Sequence, residues 1–538
     1  MFSITKEGLL NQERIDPHSI QHSDSNEPSN FKNSFLSDLE RILFSSSFRR
    51  LQDKAQVYPL EPEDYARTRL THSLEVSAIA LSLGNMVTKR LIRNTNQSSI
   101  LLKLNKEKID DMQFIELNKE LNKNRQNFEK LSQDIGLCLQ CASLLHDIGN
   151  PPFGHFGEDV MKGYFREIFY TPSGSERKNP RGLNEVQKKI FNTIKNDQMK
   201  MDLVHFDGNA QTIRIVTKLQ NSSSKNYGLN LTYGVLGALF KYPYSSEKAD
   251  FNHQKFGYLY SENDVIEKLL KINESDDIWA VYKDNRRNPL TLLMEAADDI
   301  GCIISDFEDA VHKTNVRFED FFYISNNMDE YTKDFTSLGK NTCTDFIYDI
   351  IKYFEENSNE HINEPLKNTI TRLLNRVRED FKRGVVDCFI NNYSSIIEGT
   401  FTEPLMDKSN QAEFYKFLKQ IRKKFVFNQE EILIAELQGK QIIRFLLDEF
   451  LKSILHDNFS EFVEDKSKAK DENHKMVQLI SKNYIDVYKK FAKDRKEMSQ
   501  PLTKEETIYY QIRVVIDHIC GMTDTYAKET YIKLNGTV

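Results

Sequence analysis

The sequence predicts an all-α fold, and three observations support this prediction. Gly and Pro number only 21 and 13 among 538 residues, so residues that form turns between strands are few. Phe and Tyr number 35 and 23, which favours long helices with aromatic packing. Beyond residue 34, apolar residues recur at three- and four-residue steps, which is the period of a helix with one buried face.

We predict three parts along the chain. Residues 1–34 are polar and show little periodicity, so we interpret them as an N-terminal arm. Residues 35–310 contain the main helical domain, and within it residues 93–134, rich in Asn, Lys, Glu and Gln, are interpreted as a solvated helical insertion. Residues 311–538 continue as charged amphipathic helices, and we expect this C-terminal region to complete the site.

The helices of the main domain are predicted in order from their apolar residues. A first helix begins near Phe35, and a second begins at Thr71, where a hydroxyl group can cap it. A strongly apolar helix runs from Ile135 to Ile148 and is ended by Gly149-Asn150-Pro151-Pro152. Cys138 and Cys141 lie inside this helix, and we interpret the pair as core packing.

Charge and composition exclude several classes of protein. The net charge is −7, from 73 basic and 80 acidic residues, so no global basic field indicates nucleic acid as the main ligand. An anionic ligand must therefore meet local cations. Six cysteines without paired spacing indicate a reducing compartment, and the cytoplasm is the expected location. Neither a signal-peptide pattern nor a run of about 18 apolar residues is found, so no membrane partner is expected.

Four residues could form one metal site: His72, the adjacent pair His146 and Asp147, and the distant Asp298. Imidazole nitrogens with carboxylate oxygens suit a borderline divalent ion such as manganese, iron, cobalt or zinc, and magnesium is also compatible with function. Taken alone, a His-Asp dipeptide is more often an ordinary pair at a helix end.

The segment from His146 to Glu158 changes this balance, because it places two histidines and two acids around a rigid Pro/Gly turn. His155 and Glu158 are three residues apart, so they share a face if a helix restarts there, and Glu158 can then orient the imidazole. The pair predicts an acid/base dyad. The alternative is a surface salt bridge worth under about 1 kcal/mol.

These strings, together with others in the same order, resemble the deoxyguanosine triphosphate triphosphohydrolase family of the HD superfamily. The matching strings thread through nearly the whole chain, although residues 311–500 match only weakly. They are Arg49-Arg50-Leu51-Gln52-Asp53-Lys54-Ala55-Gln56-Val57, Arg67-Thr68-Arg69-Leu70-Thr71-His72-Ser73-Leu74-Glu75-Val76, the His146 to Glu158 segment, Phe206-Asp207-Gly208-Asn209-Ala210-Gln211, Leu231-Thr232-Tyr233, Lys241-Tyr242-Pro243, Glu295-Ala296-Ala297-Asp298-Asp299-Ile300 and Gly521-Met522-Thr523-Asp524.

The resemblance implies an HD-type catalytic domain at residues 35–310 and assigns roles to individual residues. The implied metal ligands are His72, His146, Asp147 and Asp298, and the implied catalytic pair is His155 with Glu158. The implied substrate-binding residues are Gln56, Arg69, Asn209, Lys241, Tyr242, Lys255, Asp306 and Arg513. No Walker A string or dinucleotide fingerprint is present, so side chains must neutralise a triphosphate.

The resemblance also implies the reaction. Family members use a divalent metal ion to cleave deoxynucleoside triphosphates, dGTP and in some members other dNTPs, at the α-phosphorus, releasing deoxynucleoside and tripolyphosphate. They are typically homo-oligomers, often hexamers, and some bind single-stranded DNA or a nucleotide as an effector.

One residue departs from the family pattern. Four residues after Asp298, where the family usually carries a tyrosine near the deoxyribose, this sequence has Cys302. Loss of the ring enlarges the pocket beside the sugar, so we expect weaker rejection of a 2′-hydroxyl group.

Two alternative functions remain open at this point. One is another HD phosphohydrolase that acts on nucleoside monophosphates or a signalling nucleotide. The other is a catalytically silent nucleotide-binding or DNA-binding regulator on the same scaffold, whose sequence would lack ligands or the dyad. All six of these positions are filled here.

Overall fold

In the part of the chain that the computed structural model describes, the regular elements of secondary structure are helices. Between the helices of that part lie only isolated β-bridges, such as the one that joins Ala55 to Thr68, and no strand ladder. The predicted all-α fold class is therefore confirmed. The described residues are 9–15, 33–60, 67–104, 129–220, 228–249, 255–271, 287–313, 317–357, 364–426, 429–457, 459 and 471–536.

The main domain contains eleven described helices in chain order. They are α1 (Ser34–Leu43), α2 (Ser46–Arg50), α3 (Arg69–Leu104), α4 (129–145), α5 (Gly154–Phe169), α6 (Glu185–Thr193), α7 (Asp197–Val204), α8 (Gly208–Arg214), α9 (Tyr233–Leu239), α10 (Asn263–Lys271) and α11 (Pro289–His312). Short 3₁₀ turns lie at Leu51–Asp53, Ser246–Lys248 and Tyr260–Glu262, and α8 continues as one π-helical turn, Ile215–Leu219.

The C-terminal region adds a further series of described helices. They are α12 (Phe318–Asn326), α13 (Met328–Thr332), α14 (Ser337–Asn357), α15 (Glu364–Asn391), α16 (Tyr393–Ile397), α17 (Leu405–Lys408), α18 (Ala412–Phe425), α19 (Glu430–Ile454), α20 (Glu472–Leu479), α21 (Lys482–Glu497), α22 (Lys504–Cys520) and α23 (Asp524–Asn535). None of the described helices combines the length and the hydrophobicity that a bilayer span needs.

Helices α3 and α11 pack side by side and form the centre of the main domain. Gly301 permits this close approach, because a Cβ atom there would lie only 2.8 Å from Val76 Cγ2 and 3.6 Å from His72 Cε1. On the other side, α19 packs against α5 and α22. The C-terminal helices therefore support the segment that follows the Pro/Gly turn.

Two predicted helix boundaries differ from the structure. The second helix begins at Arg69 rather than at Thr71, because Thr68 and Thr71 cap it by exchanging hydrogen bonds between hydroxyl oxygens and backbone N–H groups. The apolar helix ends at residue 145, so His146 and Asp147 lie in the turn that follows it and not within a helix. This position lets both side chains face the same point. Cys138 and Cys141 lie in the core, as predicted.

Part of the predicted N-terminal arm is packed against the main domain. Leu9 is buried, and Arg14 Nη1 donates to Asp38 Oδ1 and to the carbonyl of Asn230, at 2.5 Å each. A buried guanidinium needs such partners, which residues distant in the chain supply. The helices α3 and α4 extend into both ends of the predicted insertion 93–134, and its residues 105–128 lie outside the described ones.

Candidate active site

The fold brings the four predicted metal ligands together around one carboxylate oxygen. Asp298 Oδ1, on α11, lies 3.3 Å from His72 Nε2, which comes from the first turn of α3. The same oxygen lies 3.4 Å from His146 Nε2, and that nitrogen is 3.7 Å from Asp147 Oδ1. Two imidazoles and two carboxylates thus converge from α3, α11 and the turn after α4.

Local hydrogen bonds fix the orientation of the ligands in the turn. His146 Nδ1 donates to the carbonyl of Ser143 at 2.6 Å, which leaves Nε2 facing Asp298. Asn150 Nδ2 donates to Asp147 Oδ1 at 2.6 Å, and Arg69 donates to Oδ2 of the same carboxylate. The turn is therefore held before any ligand binds.

Two glycines let α8 approach this turn. A Cβ atom on Gly149 would lie 2.1 Å from the carbonyl oxygen of Gly208, and one on Gly208 would lie 2.1 Å from Asn150 Oδ1. Thr212 on α8 then accepts a hydrogen bond from the N–H of Gly149 at 3.1 Å. Glycine at both positions follows from this close contact and not from an unusual backbone angle.

The charges at the site favour ionised ligands. Burial by itself lowers the pKa of His146, but the carboxylates of Asp147 and Asp298 outweigh it and raise this pKa to about 9. Burial raises the pKa of Asp298, yet the nearby ring of His146 holds that pKa well below the usual range. Asp147 follows the same pattern, because Arg69 overcomes burial and lowers its pKa. Both carboxylates are therefore ionised and already face a protein cation, the ring of His146 beside Asp298 and the guanidinium of Arg69 beside Asp147.

The donor set fits a divalent metal ion. His146 Nε2 is buried and has no hydrogen-bond partner among the described residues. Nitrogen and carboxylate oxygen donors that lie 3.3 to 3.7 Å apart can bind one ion between them. Two imidazoles with two carboxylates are typical ligands of borderline divalent ions.

The predicted dyad lies at the start of α5. His155 Nδ1 is 3.5 Å from Glu158 Oε2, and the two side chains are 76% and 3% exposed. Glu158 Oε1 accepts from the N–H of Gly208 at 3.0 Å, and Lys255 Nζ lies 3.9 Å from Oε2. Burial raises the pKa of Glu158, but His155 and Lys255 outweigh it and lower this pKa below its ordinary value. A buried carboxylate thus faces an exposed imidazole.

One cavity contains most of the predicted residues. Its walls include His146, Asp147, Asp298, the His155–Glu158 pair and six of the predicted substrate-binding residues, which are Gln56, Arg69, Asn209, Lys241, Tyr242 and Lys255. Lys241 Nζ lies 3.4 Å from Glu295 Oε1, and Lys255 Nζ lies 3.4 Å from Asp207 Oδ2. The ammonium groups of Lys241 and Lys255, each close to a carboxylate of the protein, therefore line the same cavity as the predicted metal ligands.

The two remaining predicted substrate-binding residues lie away from this wall. Asp306 is two helical turns beyond Asp298, and its carboxylate accepts from Arg422 Nη1 at 3.0 Å. Arg513 is fully buried on α22, where its Nη2 donates to Gln211 Oε1 and lies 3.4 Å from Asp517 Oδ1. Both charges have protein partners, as Lys241 and Lys255 do, and direct contact of any of these residues with a substrate stays a prediction.

Sequence reasoning missed Lys54 and Asn150. Lys54 is buried, and its Nζ donates at 2.6 Å to the carbonyls of Asn150 and Cys520. Burial lowers the pKa of Lys54 to about 8. Both residues occur in strings that resemble the family, but no spacing rule assigns them a role. The one feature of the sequence that could have indicated a role for Asn150 is its polar side chain between Gly149 and Pro151.

Known proteins resemble this chain over nearly its whole length. Proteins from Listeria monocytogenes and Listeria innocua are 33% and 34% identical to it, over 98% of each chain, and are named deoxyguanosinetriphosphate triphosphohydrolase-like proteins. The chain belongs to this family. A relative from Yersinia pseudotuberculosis, 28% identical over 93% of each chain, is named deoxyguanosinetriphosphate triphosphohydrolase.

The family model that matches residues 454–533 is described as a phosphohydrolase-associated domain. Membership confirms three predictions, namely the family, the all-α HD-type fold and a hydrolase as the class of enzyme. The matched segment covers α20 to α23, which include the helix that bears Arg513 and the motif Gly521–Asp524.

Proposed function

We propose that this enzyme hydrolyses deoxynucleoside triphosphates at the α-phosphorus with the help of a bound divalent ion, releasing deoxynucleoside and tripolyphosphate. The observation that carries the proposal is the convergence of His72 and His146 on Asp298 Oδ1, with Asp147 beside His146. This group adjoins a cavity that is also lined by Arg69, Lys241 and Lys255. The names of the relatives support a deoxynucleoside triphosphate as substrate.

In this proposal His72, His146, Asp147 and Asp298 hold the ion. When bound, manganese, magnesium or another divalent ion supplies Lewis-acid stabilisation of the charge on an α-phosphate oxygen. Arg69 already donates to Asp147, so its guanidinium couples the metal ligands to the phosphate-binding side of the cavity. Lys241 and Lys255 bind the polyphosphate, because ammonium groups are strong donors to phosphate oxygens.

The chain's own acid/base group is His155. Attack by water forms one P–O bond while the bond from the α-phosphorus to O5′ breaks, so the leaving O5′ needs a proton. His155 Nδ1 faces Glu158, which leaves Nε2 as the ring nitrogen that can donate this proton. The Glu158 carboxylate stabilises the imidazolium and orients the ring. Gln56, Asn209 and Tyr242 line the same cavity and are assigned to the sugar and base.

Product analysis tests the cleavage position. The full-length enzyme is incubated with each of the four dNTPs and Mn²⁺ in H₂¹⁸O, with Asp298→Asn as the inactive control. We expect equimolar deoxynucleoside and tripolyphosphate, with the ¹⁸O label in tripolyphosphate. Release of nucleoside monophosphate with pyrophosphate contradicts cleavage of the bond from the α-phosphorus to O5′, because the bridge between the α- and β-phosphates is then the bond that breaks. Turnover of monophosphates alone, or nucleotide binding without turnover, supports one of the two alternative functions instead.

The turnover rates of the four dNTPs in the same assay give the base preference, and the rate of a ribonucleoside triphosphate gives the sugar selectivity. Cys302 lines the cavity, and its side chain is far smaller than a tyrosine ring. We therefore expect turnover of a ribonucleoside triphosphate comparable to that of its deoxy analogue. Stringent exclusion of the ribonucleotide counts against this expectation.

We also propose a homo-oligomer, in line with the family resemblance, and single-stranded DNA or a nucleotide as an effector. Light scattering coupled to size-exclusion chromatography, with and without dNTP or single-stranded DNA, measures both. A monomer under all of these conditions overturns the oligomer proposal.

A further inference from the structure

Cys302 lies beside the proposed metal ligands. It follows Asp298 by one turn of α11, so both side chains project from the same face of the helix. Its Sγ is 3.4 Å from Asp298 Oδ1 and 3.8 Å from His72 Nε2. The separation of the sulfur from Asp298 Oδ1 thus equals that of His146 Nε2 from the same oxygen, 3.4 Å, and its separation from His72 is slightly longer than the 3.7 Å between His146 and Asp147.

These distances are compatible with a shared ion. Two donors can bind one ion only if their separation does not exceed the sum of the two bond lengths, which for sulfur and imidazole nitrogen on zinc is about 4.4 Å. The separation of 3.8 Å between Cys302 Sγ and His72 Nε2 lies below this limit. His72, Asp298 and Cys302 thus form a three-ligand group.

Two further features point to a ligand at this place. His146 Nε2 is buried without a hydrogen-bond partner among the described residues, and it faces Asp298 Oδ1 at 3.4 Å. Gln56 Nε2 lies 3.8 Å from Cys302 Sγ and can donate a hydrogen bond to it. A donated hydrogen bond stabilises a sulfur that carries negative charge, and such partners commonly hold metal ligands in place.

We propose that the thiolate of Cys302 is an additional ligand of the divalent ion, beside His72 and Asp298. This inference rests on the proposed metal site. On binding, the thiol proton passes to solvent and the sulfur lone pair forms the bond to the metal, with no change of oxidation state. Thiolate prefers zinc, cobalt or cadmium to magnesium, so Cys302 shifts the metal preference of the site towards softer ions.

The test measures sulfur coordination directly and does not depend on activity. The full-length enzyme is freed of metal by a chelator and loaded with one equivalent of Cd²⁺, and bound metal is determined by elemental analysis. We expect a near-ultraviolet sulfur-to-metal charge-transfer band in the wild type. The band should be absent in Cys302→Ser and unchanged in Cys388→Ser, a control at a buried thiol on α15 outside the cavity.

Metal affinity provides a second measurement on the same proteins. Cys302→Ser should weaken Zn²⁺ binding roughly tenfold or more while leaving Mg²⁺ binding almost unchanged. If that variant does not fold, X-ray absorption of the Zn²⁺-loaded wild type decides, because a sulfur ligand gives scattering at about 2.3 Å. One bound metal without a sulfur signal overturns the role of Cys302. Failure of the wild type to bind any divalent ion overturns the metal site itself.

Discussion

Glu158 is a buried carboxylate whose two oxygens contact different partners. Oε1 accepts a hydrogen bond from Gly208 N–H at 3.0 Å, which ties α5 to the start of α8. Oε2 faces His155 at 3.5 Å and Lys162 at 3.8 Å. Burying this charge is costly unless it is paired, so its position beside an exposed imidazole indicates a role in supporting His155.

Replacement of Glu158 by Gln should keep the contact with Gly208 and remove the charge beside His155. The amide oxygen can still accept from Gly208, but the negative charge that faces His155 is lost. We expect kcat to fall by about 10²- to 10⁴-fold, with unchanged Mn²⁺ affinity because Glu158 is not a metal ligand. Asp159→Asn is the matched control, since Asp159 is an exposed carboxylate that also contacts Lys162. Steady-state kinetics and metal titration measure both effects, and equal kcat values in the two variants would exclude the dyad.

At the scale of elements, residues of the C-terminal region fix the position of the residue that precedes α5. Phe153, which precedes α5, has φ 63°, a left-handed conformation that costs a bulky residue about 1–3 kcal/mol. Its N–H donates to Asp524 Oδ1 at 2.9 Å, and its ring fills the space over Gly439 on α19. The other oxygen of Asp524 accepts from Ala55 N–H at 2.9 Å. Asp524 therefore joins the start of α23 to two segments of the active site.

Replacement of Asp524 by Ala should displace the dyad. Two backbone N–H groups lose their acceptor, at about 1–3 kcal/mol each if they stay buried. We expect lower stability towards urea and a lower kcat, because His155 lies only two residues after Phe153. Thr525→Ala is the control, since the Thr525 hydroxyl donates to the side chain of Asp53 and to neither of the two backbone N–H groups that Asp524 binds. If kcat is retained while stability falls, Asp524 has a structural role alone.

At the scale of the whole molecule, the C-terminal helices connect to the main domain through buried polar groups. Arg214 on α8 donates to Asp517 Oδ2 on α22 at 2.7 Å and to Glu262 Oε1 at 3.0 Å. His518, which follows Asp517 on α22, is also buried. Its ring packs edge to face against Phe450 on α19, with 5.0 Å between the ring centroids. Burial and the nearby Arg50 lower the pKa of His518 to about 4.

This burial predicts a pH dependence of stability. Between pH 6.5 and pH 4 the unfolded chain binds a proton at His518 that the folded protein does not bind, so the folded state loses up to about 3 kcal/mol as the pH falls. His518→Gln should remove this contribution. The measurement is urea unfolding of both proteins from pH 4 to pH 7. Their difference in unfolding free energy should change across this window, and a constant difference would show that His518 does not titrate as expected.

The sequence by itself determined the features that depend on residues close together in the chain. Apolar periodicity gave the helical class, and the Pro/Gly turn after residue 148 marked where polar residues are held for chemistry. The residue types at positions 72, 146, 147 and 298 supplied nitrogen and oxygen donors for the predicted metal site. The helical class and the turn depend on neighbours a few residues apart, so no tertiary structure is needed to infer them.

Only the tertiary structure decided which atoms meet. His72 and Asp298 are 226 residues apart, and their contact depends on how closely α3 and α11 pack at Gly301. The same packing places the sulfur of Cys302 3.4 Å from Asp298 Oδ1. Elsewhere in the fold, Arg513 on α22 is buried and donates to Gln211, so it does not line the cavity wall. Distances of this kind arise from long-range packing of helices, for which the period of a single helix carries no information.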